Sequence, residues 1–215
     1  MRAFEPGSTG WSAADLDDPR YEHFWAAGKY EIIDGVIAQM APAYMVGIWA
    51  LKRLCGIVEK HLASVGQQGD FLPEMELMLT DSRVLRPDAA LVTPEFAEKQ
   101  IKAVLAAQES HKKKQPDSTD IELSRVLIPP FLIIESISPG HERHDEQLKR
   151  GWYAEFAVPN YWLINSFTQT MRCYRLVNGT YELDAEGRDD QVIRPSAFAG
   201  LAVPLDQVWV RLSTR

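Results

Sequence analysis

The chain has 215 residues, 46% of them hydrophobic and 25% charged, enough apolar material for one sizeable core and the wrong composition for a disordered chain. With 23 Lys and Arg against 30 Asp and Glu the net charge is −7, and a pI near 5.3 excludes a broad basic surface while leaving room for a local basic cleft. No stretch approaches a membrane span or a secretory leader, and Cys55 and Cys173 form neither a CxxC pair nor a disulfide framework, so a cytoplasmic protein with no membrane partner is expected.

Ser12 ahead of Ala13, Ala14 and Asp15 predicts a short capped helix. Tyr30 to Met40 surrounds Asp34-Gly35 with Ile32, Ile33, Val36 and Ile37, the pattern of two strands turning at Asp-Gly. After Pro42, the recurrence of Ile48, Leu51, Cys55, Val58 and Leu62 predicts a long core-facing helix that stops at Gly66. Phe71 to Leu79 and Val84 to Val92 read as two strands separated by Thr80, Asp81 and Ser82, with Pro87 marking an edge or a strand start. From Thr93 to Arg125 the pattern weakens. A helix over Phe96 to Ala107 and a lysine run at Lys112, Lys113 and Lys114 make residues 94–125 an expected insertion or mobile arm within a single domain spanning 1–215.

Phe131 to Ile137 is almost continuously apolar, the signature of a central strand buried on both faces, yet it carries Glu135. A buried carboxylate is costly unless it is paired or bound to a metal. Ser138-Pro139-Gly140 then leads into a helix over Glu142 to Phe156, followed by strands at Tyr161 to Phe167, Thr170 to Val177 and Thr180 to Leu183, the last two joined at Asn178-Gly179. There is no internal repeat.

The chemistry gathers on two strands and one helix. Asp88 follows Arg86-Pro87, Glu135 sits in the apolar strand, and Asp145, Lys149 and Tyr153 are four residues apart, which puts all three on one helix face. Two carboxylates and a backbone carbonyl, that of Ser136, suit the oxygen shell preferred by Mg2+ or Mn2+. Such an ion acidifies water and neutralises charge on a phosphate, and a nearby lysine orients the attacking water and stabilises the transition state. The reaction these groups imply is phosphodiester hydrolysis.

The ordered series Arg86-Pro87-Asp88, then Phe131-Leu132-Ile133-Ile134-Glu135-Ser136-Ile137-Ser138-Pro139, then Asp145, Lys149 and Tyr153, then Val158-Pro159-Asn160-Tyr161-Trp162-Leu163-Ile164 resembles the Uma-type putative restriction endonuclease family, within the PD-(D/E)xK nuclease superfamily. Tyr30-Glu31-Ile32-Ile33-Asp34-Gly35 is similar to that family's N-terminal hairpin, and the resemblance runs from about Tyr30 to Tyr181. It implies an α/β restriction-endonuclease-like fold, a mixed β-sheet flanked by helices with an N-terminal hairpin. It also implies Asp88 and Glu135 as metal ligands, Lys149 as the active-site lysine, DNA as the substrate and, by analogy with the superfamily, a homodimer. Ile137 stands where a strict ExK motif would have its lysine, so the lysine is carried on the helix, in the family's Asp-x-x-x-Lys-x-x-x-Tyr arrangement. The histidine that the family often shows entering the first long helix is Gly47 here, and the glycine before Val-Pro is Ala157.

Each feature also has a plainer reading. Asp145 and Lys149 are equally an exposed helix ion pair, Asp88 a turn cap, and Trp152, Tyr153, Tyr161 and Trp162 core aromatics rather than a stacking surface. His141-Glu142-Arg143-His144 lacks the spacing of a zinc HExxH helix and reads as a polar helix start. Glu31, from the hairpin, is a candidate accessory carboxylate, with a place outside the metal site as its plainer reading. The acidic pI and Gly47 motivate a rival reading in which the fold is catalytically silent and serves as an oligomerising or regulatory binding module.

Overall fold

The computed structural model describes residues 2–40, 44–114, 125–138 and 144–210, with side chains at 111–114 and 144–146 outside that description. The Ser12 amide and hydroxyl donate to Asp15 Oδ2 at 2.8 and 2.9 Å, capping a 3-10 helix over Ala13–Asp17. After α1 (Glu22–Ala26), the strands β1 (Tyr30–Ile33) and β2 (Val36–Gln39) turn at Asp34 and Gly35, whose φ values of 51° and 78° are the two left-handed positions a tight hairpin needs.

The long helix α2 (Met45–Ser64) buries Gly47, Ala50, Leu54, Cys55, Val58 and Leu62. Ile48, expected in the core, is 50% exposed, because the buried line at this end runs instead through the small residues Gly47 and Ala50. The helix stops as expected: Gly66 has φ 74°, and the Gln67 amide donates to the Leu62 carbonyl at 2.9 Å.

The two long strands expected next are four short ones, β3 (Asp70–Leu72), β4 (Glu76–Thr80), β5 (Arg83–Leu85) and β6 (Ala89–Val92). Pro73 and Pro87 are the break points, since a proline has no amide to give a ladder. Glu74, at φ 50°, donates its amide to the Pro87 carbonyl at 3.1 Å. The apolar pattern runs across both prolines, so periodicity could not register the breaks.

Then follow α3 (Pro94–Lys114), longer than its apolar pattern suggests, β7 (Arg125–Val126), and the buried β8 (Leu132–Ser136). A π-helical turn over His144–Lys149 runs into α4 (Arg150–Glu155). The chain finishes with β9 (Asn160–Asn165), β10 (Thr170–Val177), β11 (Thr180–Arg188), β12 (Val192–Ile193) and β13 (Val203–Pro204). The β10–β11 hairpin turns at Asn178-Gly179 as predicted, with φ 49° and 81°.

The elements form a mixed α/β architecture in two compact units. The first comprises Met1–Pro42, Glu74–Pro87 and Glu95–Ile128. It holds a five-stranded sheet in the order β2-β1-β5-β4-β7, antiparallel except for β4 with β7. Its core is aromatic, built on Trp11, Tyr21 and Trp25 with Ile32, Ile37 and Val84. Beside it Glu76 Oε1 accepts from Trp25 Nε1 at 2.6 Å and Arg86 Nη2 at 2.7 Å.

The second unit comprises Ala43–Pro73, Asp88–Pro94 and Pro129–Arg215. Its six-stranded sheet, β11-β10-β9-β8-β6-β3, is antiparallel except for β8 with β9. Leu132 and Ile134 of β8 share the main core with Leu54 and Val58 of α2, Trp162 and Ile164 of β9, and Trp209. Strand alternation therefore turns Ile133 and Glu135 to the opposite face. Among the described residues no helix is long and apolar enough to cross a membrane.

Both cysteines lie in this core and neither is in a disulfide. Burial, with the charge of Glu59 adding to it, pushes the Cys55 thiol up to about 12, and burial pushes Cys173 well above its ordinary value. The reactive species is the thiolate, and raised pKa values leave almost none at pH 8. Native protein is expected not to react with Ellman's reagent at that pH, and both thiols to titrate in guanidinium. Rapid reaction of either native thiol would show this packing to be wrong.

Candidate active site

The site is built from the register of β6 against β8. Ala89 faces Ile134 and Ala90 faces Ile133 in antiparallel pairing, and one further step along both strands sets Asp88 opposite Glu135 on the same face of the sheet. Pro87, with no amide, ends the ladder there, and side chains take over the backbone groups. Asp88 Oδ2 accepts the Ser136 amide at 2.7 Å, and the Asp88 amide lies 3.4 Å from Glu135 Oε2. On the other edge of β8 the Ile137 amide donates to the Ile164 carbonyl at 2.8 Å. Ser136, one residue earlier, turns both its amide and its carbonyl toward Asp88. The sequence suggested only the carbonyl of Ser136; the amide contact depends on strand register and leaves no mark on residue type.

Glu135 is 2% exposed, and its partners come from the helix that follows β8. Lys149 Nζ lies 3.1 Å from Glu135 Oε1, and the Tyr153 hydroxyl donates to the same oxygen at 2.7 Å. Lys149, 1% exposed, and Tyr153, fully buried, reach the same atom because a spacing of four stacks them on one helix face. Lys149 closes the π-helical turn and caps α4, and such turns recur where a helix must aim a side chain. One carboxylate oxygen thus holds a charge-assisted and a neutral hydrogen bond in a nearly dry setting, which makes the ionised form of the pair tolerable.

Below Tyr153 the helix ends in a Schellman motif. The Val158 amide donates to the Tyr153 carbonyl and the Ala157 amide to the Ala154 carbonyl, both at 3.0 Å. Ala157 stands at the left-handed position, φ 61°, where its Cβ is strained and glycine is not. Ala157→Gly is expected to raise stability by about 0.5–1 kcal/mol, read as a higher urea midpoint at unchanged slope. A lower midpoint would mean that the alanine methyl packs well enough to outweigh the strain.

The remaining sequence candidates are placed as follows. Glu31 is fully buried in β1 of the first unit, where Oε1 accepts the Arg86 amide at 2.8 Å. Asp145 lies outside the residues whose side chains are described. Gly47, in the first turn of α2, abuts Ser136: a Cβ there would meet Ser136 Oγ at 2.9 Å. A side chain at position 47 would therefore project at the end of β8.

Donor chemistry decides whether a divalent ion suits these residues. Among the described residues no group of three or more His, Cys, Asp and Glu could hold a metal. The oxygens offered are the two carboxylates and the Ser136 carbonyl. That hard, sparse set fits Mg2+ or Mn2+, which take one or two carboxylates and leave other positions to water and substrate phosphate.

The model of the Uma2 family, described as putative restriction endonuclease, matches residues 19–206. No curated protein matches the chain. Among solved structures, a crystal structure of a putative nuclease belonging to DUF820, from Anabaena variabilis ATCC 29413, matches with a TM-score of 0.60. The match covers 85% of this chain and 90% of that one at 16% identity, a likeness of fold.

Proposed function

The chain belongs to the Uma2 family of putative restriction endonucleases, and from that premise we propose that it is a divalent-metal-dependent nuclease that hydrolyses phosphodiester bonds of DNA at Asp88, Glu135 and Lys149. The reading rests on one observation: Asp88, Glu135, Lys149 and Tyr153 meet at the end of β8, with Lys149 and Tyr153 on a single carboxylate oxygen.

Asp88, Glu135 and the Ser136 carbonyl would hold the ion. Bound there, Mg2+ or Mn2+ supplies charge neutralisation for the phosphate and makes water more acidic. Tyr153 fixes the rotamer of Glu135, and the Lys149 ammonium behind that carboxylate adds positive charge that favours the negative charge growing on the phosphate oxygens. Water attacks phosphorus and gives up a proton to solvent, the bond to one ester oxygen breaks, and the departing alkoxide takes a proton from solvent. Purified protein incubated with linear, supercoiled and single-stranded DNA and either ion is expected to cleave, and Asp88→Ala and Glu135→Ala to abolish cleavage. No cleavage of any substrate, with no change in Tm on adding either ion, counts against the enzyme.

Gly47 favours a second reading. The resemblance implies a histidine where this chain has Gly47, which lies against Ser136, and on this reading the end of β8 lacks that group. On this reading the fold is a binding module whose partner affinity survives Asp88→Ala. A homodimer, a cytoplasmic location and a single domain with an insertion over 94–125 complete the proposal. A monomer in light scattering at working concentration would remove the dimer.

A further inference from the structure

The outer face of α2 carries a feature that the hydrolytic site does not use. Its buried stripe runs through Ala50, Leu54, Val58 and Leu62, and directly opposite lies a groove of about 500 Å³ containing Trp49, Lys52, Arg53, Gly56 and Lys60, closed on one side by Gln207. Three cations and no carboxylate line it, in a chain of net charge −7. Trp49 is 52% exposed, and its ring sits 5.7 Å from the Arg53 guanidinium. Arg53 Nη1 donates to the Trp209 carbonyl at 2.7 Å. The guanidinium is thus held between a ring and a carbonyl, with donors to spare and little side-chain entropy left to lose. A Cβ built at Gly56 meets nothing within 4 Å, so the helix backbone is bare in the groove between the cations.

We propose that this groove is a binding surface for a single-stranded polynucleotide, separate from the carboxylate pair, in which Lys52, Arg53 and Lys60 take backbone phosphates and Trp49 stacks on an unpaired base. With three cations and no carboxylate among its lining residues, charge complementarity at this strip favours a polyanion. From Trp49 to Lys60 the helix rises about 17 Å, a length over which several phosphates of one strand pass. An exposed indole beside a fixed guanidinium suits a base face, and cations with a neighbouring aromatic are the elements of single-strand recognition. A base inside a duplex stack would not offer that face. The choice of polynucleotide rests on the nuclease reading; the demand for an extended anion does not.

The test is anisotropy of a fluorescein-labelled oligothymidylate of about twenty nucleotides, titrated with full-length protein in EDTA at several NaCl concentrations. Binding is expected to weaken as salt rises. Lys52→Glu with Lys60→Glu should weaken it at least tenfold and flatten the plot of log affinity against log salt by about 1.4, roughly 0.7 for each lost phosphate contact. Trp49→Ala should cost about tenfold with little change in slope. All three positions are exposed, so Tm should stay within a degree or two of the parent. If DNA is never cleaved yet binding falls in these variants, the groove stands and the nuclease reading fails. Binding indifferent to all three substitutions overturns the groove. So does loss of self-association in the same variants by sedimentation, which would make the face a contact between two copies.

Discussion

Lys149→Met is expected to lower the unfolding free energy by about 3–5 kcal/mol, because it leaves Glu135 charged and buried with its cation gone. The lysine is 1% exposed and the glutamate 2%, so water cannot take over the role of Nζ, and the Tyr153 hydroxyl on the same oxygen supplies a dipole but no charge. For a chain of this size each kcal/mol moves Tm by about 2–4 °C, so a fall of at least 6 °C should be visible by calorimetry. The double variant Lys149→Met, Glu135→Leu should recover most of the loss, since an apolar pair of similar volume often replaces a buried ion pair at little cost. The coupling between the two sites in that cycle is the quantity to compare. A single variant within 1 kcal/mol of the parent would mean that Glu135 is held mainly by Tyr153 and the Asp88 amide. A buried ion pair contributes little to folding beyond what an apolar pair of the same volume would, so the pair has room for the proposed role at β8.

The sequence reading succeeds where the information is local. Asp34-Gly35 and Asn178-Gly179 mark their hairpins because both central residues must take positive φ, a demand that residue type alone can meet. Glu135 stands out because an acid in an apolar strand needs partners, and Lys149 and Tyr153 follow from a spacing of four. What stays hidden is set by distant chain. The hydrophobic pattern continues through Pro73 and Pro87, and only the assembled sheets separate β3 from β4 and β5 from β6. The two-residue strands β7, β12 and β13 exist only through their neighbours. Lys52, Arg53 and Lys60 look like an ordinary solvated helix face until Gln207 and the Trp209 carbonyl close one side of it. Ala157 offers the reverse lesson, since nothing about an alanine announces a left-handed cap.

Asp88→Asn is expected to abolish metal-dependent cleavage, by at least about a hundredfold on the scale of losing one preorganised electrostatic contact, while leaving the fold intact. The isosteric amide keeps an oxygen to accept the Ser136 amide, so the β6–β8 junction survives. It removes one of the two negative charges that would face an ion at the proposed site, so the second readout is stability in the presence of metal. An ion that binds only the folded state at a hundred times its Kd stabilises by about 2.7 kcal/mol, or about 5–10 °C of Tm at this chain length. The parent should show such a rise with Mg2+ or Mn2+, and Asp88→Asn should lose most of it at an unchanged Tm in EDTA. A parent that cleaves and gains Tm with metal while Asp88→Asn does both equally well would put the ion elsewhere and leave Asp88 as the cap of a strand end. A variant that already melts lower in EDTA would assign Asp88 a structural charge, and Glu135→Gln would then have to carry the test. Because Lys149 and Tyr153 occupy one oxygen of Glu135, an ion at the proposed site would draw on the other oxygen, Asp88 and the Ser136 carbonyl. The loss of even one of them should therefore be felt in full.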